Sequence, residues 1–230
     1  MKSFRNRQEA GRALAVPLAP YASDLPIVIA LPRGGVPVGY EIARELRAPL
    51  EVWIVRKIGV PWHPELGVGA VSEDGYVYLA RGILEHVGLS EAELARAIEQ
   101  KRAEIADRVT LFRGARPRPS LLDRTVILVD DGIATGGTVL AVVRAIREEH
   151  PRELVLAVPV VQRDSVTLLA QAVDRVVSLV APAYLRAIGL WYEDFTQLTD
   201  EECSGLLERA RLEYDRTWFG PNEDERNASA

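Results

Sequence analysis

The sequence predicts an α/β fold in which helices cover both faces of a doubly wound, mainly parallel sheet. Short apolar runs bounded by turn residues recur along the chain, and buried parallel strands have this composition. Apolar residues with helix-type spacing lie between several of the runs, so strands and helices alternate. The predicted strands are residues 27–31, 51–55, 126–129, 154–161 and 176–180, and the predicted helices are residues 38–46, 139–149 and 165–172.

Composition limits the function classes. The 230 residues are 48% hydrophobic and 27% charged, which fits one domain over residues 1–230 with a full core. A net charge of −5 from well-mixed charges argues against a broad nucleic-acid surface. The lone Cys203 excludes an internal disulfide, three scattered histidines give no zinc-type cluster, and no apolar run reaches membrane-span length. We expect a cytoplasmic protein without nucleic-acid or membrane partners.

Residues 68–119 depart from the alternation and are interpreted as an insertion. An Asp-Gly turn at Asp74 and Gly75 separates two apolar runs, which is a hairpin signal. Ser90 and Glu93 form a capping-box pattern before a long amphipathic stretch. The insertion is therefore expected to contain a hairpin and a long helix.

The segment VILVDDGIATGGTVL, residues 126–140, joins a predicted strand to a predicted helix through a glycine turn. Glycines let the backbone approach a ligand closely, and the amides of the turn and of the helix N-terminus form an anion site. Two threonine hydroxyls can add hydrogen bonds. The residues of this predicted phosphate site are Ala134, Thr135, Gly136, Gly137 and Thr138.

Asp130 and Asp131 stand at the end of the strand, directly before the turn. Carboxylates accept charge-assisted hydrogen bonds from vicinal ribose hydroxyls, and ribose commonly carries a phosphate. The aspartates and the turn would then bind different parts of one sugar phosphate. Taken alone, a Gly-Gly turn is often only a turn and an aspartate pair can cap a helix.

The combined string resembles the phosphoribosyl-pyrophosphate (PRPP) signature of the type I phosphoribosyltransferases. Residues 31–35, LPRGG, resemble the pyrophosphate loop of that family. Arg33 offers a fork of donors to phosphate oxygens, while Gly34 and Gly35 permit backbone angles closed to other residues. A plain turn with a solvated arginine is the alternative. The resemblance implies a phosphoribosyltransferase core with the insertion described above and a C-terminal hood over residues 182–218.

Arg56 and Lys57 stand at the end of the next predicted strand and open a long loop, similar in position to the mobile catalytic loop of the family. Either residue can equally be a surface cation. In the hood, Tyr184 and Trp191 are predicted to line the acceptor site, because a flat base stacks on aromatic faces. Core packing is the alternative for these rings.

The resemblance implies an enzyme that transfers the phosphoribosyl group of PRPP to a nitrogenous base, most simply a nucleobase, and releases pyrophosphate. It points to a branch of stand-alone predicted phosphoribosyltransferases whose acceptor is unassigned. Mg²⁺ is the implied cofactor, with Asp130 and Asp131 as protein ligands. The resemblance is also compatible with a homodimer. The implied catalytic residues are Arg33, Arg56, Lys57, Asp130 and Asp131.

Two other classes of function stay open. The fold can serve as a non-catalytic regulatory sensor of PRPP or a nucleotide. An unrelated α/β phosphate-binding module could also share the glycine turn by chance. The loop at Arg33 argues against chance similarity, because it supplies a second anion site at the same sheet edge.

Overall fold

A computed structural model describes residues 4–60 and 62–219. The strands of its main sheet are β1 (Ile27–Ala30), β2 (Leu50–Val52), β6 (Thr125–Val129), β7 (Glu153–Val160) and β8 (Arg175–Val180). They lie in the order β2-β1-β6-β7-β8, and every neighbouring pair is parallel. The predicted α/β fold with a mainly parallel sheet is confirmed.

Helices cover both faces of this sheet. Alternate strand residues point to opposite faces, so each face has its own core. On one face Val28 and Ile127 pack with three helices, α1 (Arg7–Leu18), α2 (Gly35–Leu46) and α7 (Asp200–Phe219). On the other face Ile29 and Leu128 pack with α5 (Gly137–Glu148) and α6 (Arg163–Ala170). The sheet is therefore doubly wound.

A second, antiparallel sheet is inserted between β2 and β6 of the main sheet. Its strands are β3 (Val55–Val60), β4 (His63–Ser72) and β5 (Val77–Leu79), in that spatial order. Two helices follow, α3 (Arg81–Val87) and α4 (Glu91–Arg113), and α4 begins with the predicted Ser90–Glu93 capping box. The predicted hairpin is present as β4 and β5, but the small sheet starts at Val55, ahead of residue 68.

The predicted strand at residues 51–55 and the predicted loop after it are both wrong in detail. Leu50–Val52 belong to the main sheet, whereas Val55 already begins β3. The buried Trp53 and Ile54 connect the two sheets, so one continuous apolar run contains two strands and a change of direction. The residues after Arg56 form a hairpin in place of a long loop.

A buried group of charged side chains, which we call the ionic clasp, joins the insertion to the main sheet. Arg113 Nη2 donates to Glu73 Oε1 (2.9 Å) and to the carbonyl oxygen of Val52 (2.8 Å), and its Nε lies 3.3 Å from Glu51 Oε2. Arg118 Nε lies 3.9 Å from Glu73. Burial raises the pKa of Glu73 despite both arginines. The clasp is defined as Glu51, Glu73, Arg113 and Arg118.

The carboxyl ends of β1 and β6 lie side by side, because Ala30 pairs with Val129 in the last register position. The loop at residues 31–34 and the turn that begins at Asp130 therefore leave the sheet at one edge, where ligands of such sheets bind. Within the described residues, none of the helices is both long and apolar enough to cross a membrane.

Candidate functional site

The loop at residues 31–34 packs directly against the end of β6. A Cβ atom at Gly34 would lie 2.0 Å from Asp131 Oδ2, and one at Gly35 would lie 2.6 Å from the carbonyl oxygen of Val129. Both positions exclude a side chain, because the Asp131 carboxylate lies against Gly34 and the backbone of Val129 lies against Gly35. The loop therefore contacts the residues that directly precede the predicted phosphate turn.

Backbone angles give a different reason for these glycines from the one predicted. Gly34 has φ −60°, and Gly35 begins α2, so the expectation of unusual backbone angles there is wrong. Space, not conformation, selects glycine at both positions. In the second turn Gly136 does adopt a left-handed φ of 77° at the start of α5, which favours glycine.

The turn before α5 presents its polar groups outward. Thr135, Gly137 and Thr138 are exposed, and Ser165 Oγ donates to the carbonyl oxygen of Ala134, which fixes the start of the turn. A helix N-terminus of this kind offers amides and the positive end of the helix dipole to an anion. The geometry suits a phosphate group.

A cavity of about 350 Å³ lies at the sheet edge and is lined by Arg33, Asp130 and Thr138. The structure thus brings one residue from each predicted element together at one opening: the loop after β1, the end of β6 and the N-terminus of α5. The cavity has room for a phosphorylated sugar.

The two aspartates have different surroundings. Asp130 lines the cavity, and burial together with the neighbouring Asp131 charge raises the pKa of Asp130 well above its ordinary value. Asp131 points toward Gly34, and its Oδ2 accepts a hydrogen bond of 2.8 Å from Arg7 Nε on α1. Burial raises the pKa of Asp131, and Arg7 opposes that effect. Of the pair, Asp130 is the carboxylate that faces the cavity.

Arg7 is held on three sides. Besides Asp131, it donates through Nη1 to the carbonyl oxygen of Thr196 (3.0 Å), and its guanidinium stacks 3.8 Å from the centre of the Phe195 ring. Tyr192 stacks on Phe195 and donates its hydroxyl to the backbone oxygen of Asp131 (2.6 Å). The hood segment therefore supports the aspartate end of the site.

Tyr184 and Trp191, the two predicted acceptor residues, differ in how far they are buried. The Tyr184 side chain is 91% exposed. Trp191 is half-buried and packs against a cluster that contains Phe4 and Tyr192. Ile188 of the same segment covers Gly132, where a Cβ would lie 2.5 Å from Ile188 Cγ2. The acceptor role of Tyr184 and Trp191 stays a prediction.

Arg56 and Lys57 lie on opposite faces of β3, because successive strand residues alternate. Arg56 lines the 350 Å³ cavity together with Arg33. Lys57 lines a neighbouring cavity of about 340 Å³ with Tyr78 and Thr135. Thr138 lines both cavities, so the two cavities adjoin. Arg56 and Lys57 therefore line two neighbouring cavities and do not share one.

Sequence reasoning missed three charged residues of the site. Arg7 reaches Asp131 from α1, Arg108 reaches the cavity from α4, and Asp200 at the start of α7 forms an ion pair with Arg108. These partners are far apart along the chain, and no local pattern signals such a contact. The sequence of α4 predicted a helix, and the N-terminus is visibly rich in arginine. Neither pattern indicated which residue reaches the site.

Comparison with known proteins gives two close relatives. Rv0571c of Mycobacterium tuberculosis H37Rv, provisionally named a phosphoribosyl transferase, is 41% identical over 214 residues, which are 93% of this chain and 48% of that protein. This chain spans about half the length of the curated relatives it matches. The crystal structure of TT1426 from Thermus thermophilus matches with TM-score 0.79 and 39% identity over 90% of this chain and 98% of that one.

The family model described as the phosphoribosyl transferase domain matches residues 17–190, which include both glycine segments, the aspartate pair and the whole parallel sheet. This match confirms the resemblance that residues 126–140 and 31–35 suggested. The chain belongs to the phosphoribosyl transferase family.

Proposed function

We propose that this chain binds PRPP with Mg²⁺ and transfers its phosphoribosyl group to a nitrogen atom of a small acceptor, with release of pyrophosphate. The observation that carries the proposal is the single cavity shared by Arg33, Asp130 and Thr138. A sugar that carries a phosphate at one end and a diphosphate at the other needs two anion sites with hydroxyl acceptors between them. The loop after β1, the turn before α5 and Asp130 have this arrangement.

Each part of PRPP has a proposed partner. The 5′-phosphate binds the amides of residues 134–138 and the hydroxyls of Thr135 and Thr138. The ribose hydroxyls donate to Asp130, with the charge of Asp131 next to it. The diphosphate lies against Arg33 and the amide of Gly34, while the amide of Gly35 donates to the carbonyl oxygen of Leu31 and holds the loop closed. Arg7 and Tyr192 hold Asp131 in place from behind.

During the reaction the bond from C1 to the pyrophosphate oxygen breaks with its electron pair on pyrophosphate, and the acceptor nitrogen forms the new bond to C1 and gives up its proton to the released pyrophosphate or to water. Positive charge develops on the sugar, as in other glycosyl transfers. Asp130 and Asp131 stabilise that charge, while Arg33 and Arg56 stabilise the departing anion. The half-buried walls of the cavity strengthen these interactions by limiting water.

The donor set fits Mg²⁺. Carboxylate oxygens are ligands that Mg²⁺ prefers, and the carboxylate of Asp130 lines the cavity. Among the residues that the structure describes, no group of three or more His, Cys, Asp or Glu side chains could hold a metal ion. Phosphate oxygens of PRPP would complete the coordination, with Asp130 as the protein ligand, whereas Asp131, the second predicted ligand, is turned toward Gly34 and accepts from Arg7. Bound there, Mg²⁺ supplies charge neutralisation on the diphosphate.

For the acceptor, Tyr184 is the candidate with a ring free to stack on a base, since Trp191 is partly used in packing. Tyr184→Ala is expected to raise the KM for the acceptor and leave PRPP affinity unchanged. Leu190→Ala, a second exposed apolar change in the hood, is the matched control.

The test of the function is pyrophosphate release from PRPP and Mg²⁺ in the presence of a panel of nucleobases. PRPP should also raise the melting temperature, because a ligand at a hundred times its Kd stabilises the folded state by about 2.7 kcal/mol. Binding without release with any base would favour the sensor alternative. Neither binding nor release at millimolar PRPP would overturn both functions.

A further inference from the structure

Three arginines from different parts of the chain line the 350 Å³ cavity: Arg33, Arg56 and Arg108. Arg33 belongs to the loop after β1, and Arg56 belongs to β3. Arg108 comes from the long helix α4, whose last turns also bring Phe112 to the cavity wall. Three guanidinium groups around one space of this size are costly unless anions accompany them.

In the structure the anion beside two of these arginines is a side chain of the protein. Asp200 forms an ion pair with Arg108, and its Oδ1 lies 4.0 Å from Arg33 Nη1. Arg56 has a different partner: its Nε is 3.7 Å from Glu104 Oε2. Arg56 Nε is buried and has no hydrogen-bond partner among the described residues. The arginine set is therefore only partly satisfied by the carboxylates around it.

Asp200 is held at this position by local structure. It is the first residue of α7, and Thr199 and Glu202 form reciprocal hydrogen bonds across that helix start (Thr199 N to Glu202 Oε2 2.7 Å, Glu202 N to Thr199 Oγ1 3.1 Å). One turn later, the buried Cys203 donates its S–H to the carbonyl oxygen of Arg33. The start of α7 thus rests on the loop after β1.

We propose that Arg108 binds the diphosphate group of PRPP and that Asp200 occupies Arg108 until the diphosphate displaces it. This inference rests on the proposed function and adds a binding residue from the insertion to it. A guanidinium binds phosphate oxygens in the same forked geometry as a carboxylate, so one anion can replace the other at Arg108. Diphosphate carries more charge than Asp200 and can contact all three arginines at once.

The proposed replacement of Asp200 by diphosphate at Arg108 predicts opposite changes in diphosphate affinity for substitutions at the two residues. Loss of Arg108 removes a contact with the diphosphate and weakens its binding. Loss of the Asp200 charge removes a competitor for Arg108 and Arg33 and strengthens binding. A purely structural role for the Arg108–Asp200 pair predicts that both changes weaken binding or leave it unaltered.

The experiment is calorimetric titration of the full chain with pyrophosphate and with ribose 5-phosphate, both in Mg²⁺. Arg108→Gln should weaken pyrophosphate binding by about tenfold or more, the effect of losing a charged hydrogen bond. Asp200→Asn should tighten it by about two- to fivefold, the range of a partly exposed ion pair. Ribose 5-phosphate affinity should stay unchanged in both, because this ligand has no diphosphate. Arg102→Gln on the exposed side of α4 is the matched control, since Arg102 pairs locally with Glu99.

Equal pyrophosphate affinity in wild type and Arg108→Gln would overturn the role of Arg108, and so would a lack of pyrophosphate binding by the wild type. Weaker or unchanged binding by Asp200→Asn would overturn the exchange. Should Arg108→Gln unfold, Arg108→Lys gives the same readout, because it keeps the charge and loses the fork. Failure of the proposed function looks different: pyrophosphate would bind with the expected variant pattern, yet no base would release pyrophosphate from PRPP.

Discussion

The two sheets differ in how completely they are buried. Every residue of β1 and β6 is buried, and two apolar cores enclose the parallel sheet from both faces. In the insertion, β5 is only half-buried, and α4 buries just Ile105, Phe112 and Arg113 among its 23 residues. The insertion nevertheless shares the apolar cluster of one face of the main sheet through Ile58, Val68 and Phe112, and the ionic clasp adds a charged connection. An almost wholly buried frame therefore fixes the amides of the site, whereas Arg56 and Arg108 come from a region that is more exposed and partly held by charges.

The largest effect is expected from breaking the clasp. Arg113→Met leaves Glu73 buried without its main partner and should lower the free energy of unfolding by about 3 kcal/mol at pH 7. Arg102→Met, which removes an exposed pair with Glu99, should change it by less than about 0.5 kcal/mol. Chemical denaturation of both variants measures the difference.

The same substitution has a defined pH dependence. The pKa of Glu73 is already raised by burial, and loss of Arg113 raises it further. A carboxyl whose folded pKa is raised destabilises the folded state as pH rises through that pKa, so the deficit of Arg113→Met should shrink as pH falls toward 4.5, the ordinary value. A deficit that stays constant between pH 7 and pH 5 would mean that Glu73 is not the group left unpaired.

At the parallel sheet, Asp130→Asn should lower PRPP affinity and raise the free energy of unfolding. PRPP affinity is expected to fall about ten- to a hundredfold, because a charged acceptor of the ribose hydroxyls is lost. In the absence of PRPP and Mg²⁺ the free energy of unfolding at pH 7 should rise, because the ionised Asp130 carboxyl is buried beside Asp131.

The sign follows from the raised pKa of Asp130. The folded protein holds this proton more tightly than the unfolded chain, so ionisation of Asp130 costs stability as pH rises above 3.8, its ordinary value. Asparagine cannot ionise, and its advantage should vanish below about pH 4. Lower stability of Asp130→Asn at pH 7 would contradict the assigned environment.

Thr138→Val should affect the ligand alone. Thr138 is exposed at the first turn of α5, so its loss should leave the melting temperature within about 1 °C of wild type while PRPP affinity drops about tenfold. Thr110→Val, on the exposed side of α4, is a control for the same chemical change. Unchanged PRPP binding would remove the hydroxyl from the 5′-phosphate site.

The smallest effect concerns the start of α4. Ser90→Ala removes the capping box and should cost about 1 kcal/mol of local stability. Hydrogen exchange should rise in the first turns of α4 and stay unchanged in β6, because the capping box is exposed and lies outside the apolar cluster in which Phe112 packs with Ile127. Ser23→Ala, at an exposed turn, should have no such effect. Faster exchange in β6 would show that the two sheets open together.

Elements encoded by neighbouring residues could be predicted from the sequence. Apolar runs located the strands of the main sheet, Ser90 and Glu93 located the start of α4, and the glycine segments located the two turns of the site. The boundary at residues 53–54 could not be predicted, because the apolar run is continuous across it. A change of chain direction inside a buried apolar run does not alter the hydrophobicity pattern of the sequence.

Side chains that complete the site from a distance were beyond sequence reasoning. Arg7 and Asp131 lie 124 residues apart, and Arg108 and Asp200 lie 92 residues apart. Each is one charged residue among many in this chain, and only the packing of α1, α4 and α7 decides which arginine meets which carboxylate. The reason for glycine at position 34 was likewise tertiary, since the Asp131 carboxylate occupies the space of a side chain.

The placement of Arg56 and Lys57 on opposite faces of β3 makes this strand a partition between two compartments. Substitution at position 56 alters the 350 Å³ compartment and substitution at position 57 alters its 340 Å³ neighbour, so each can be engineered separately. A one-residue deletion just before Val55 would instead exchange the faces of every later residue in the strand. Length changes in this segment should therefore be far less tolerated than substitutions, a contrast that a deletion scan can measure.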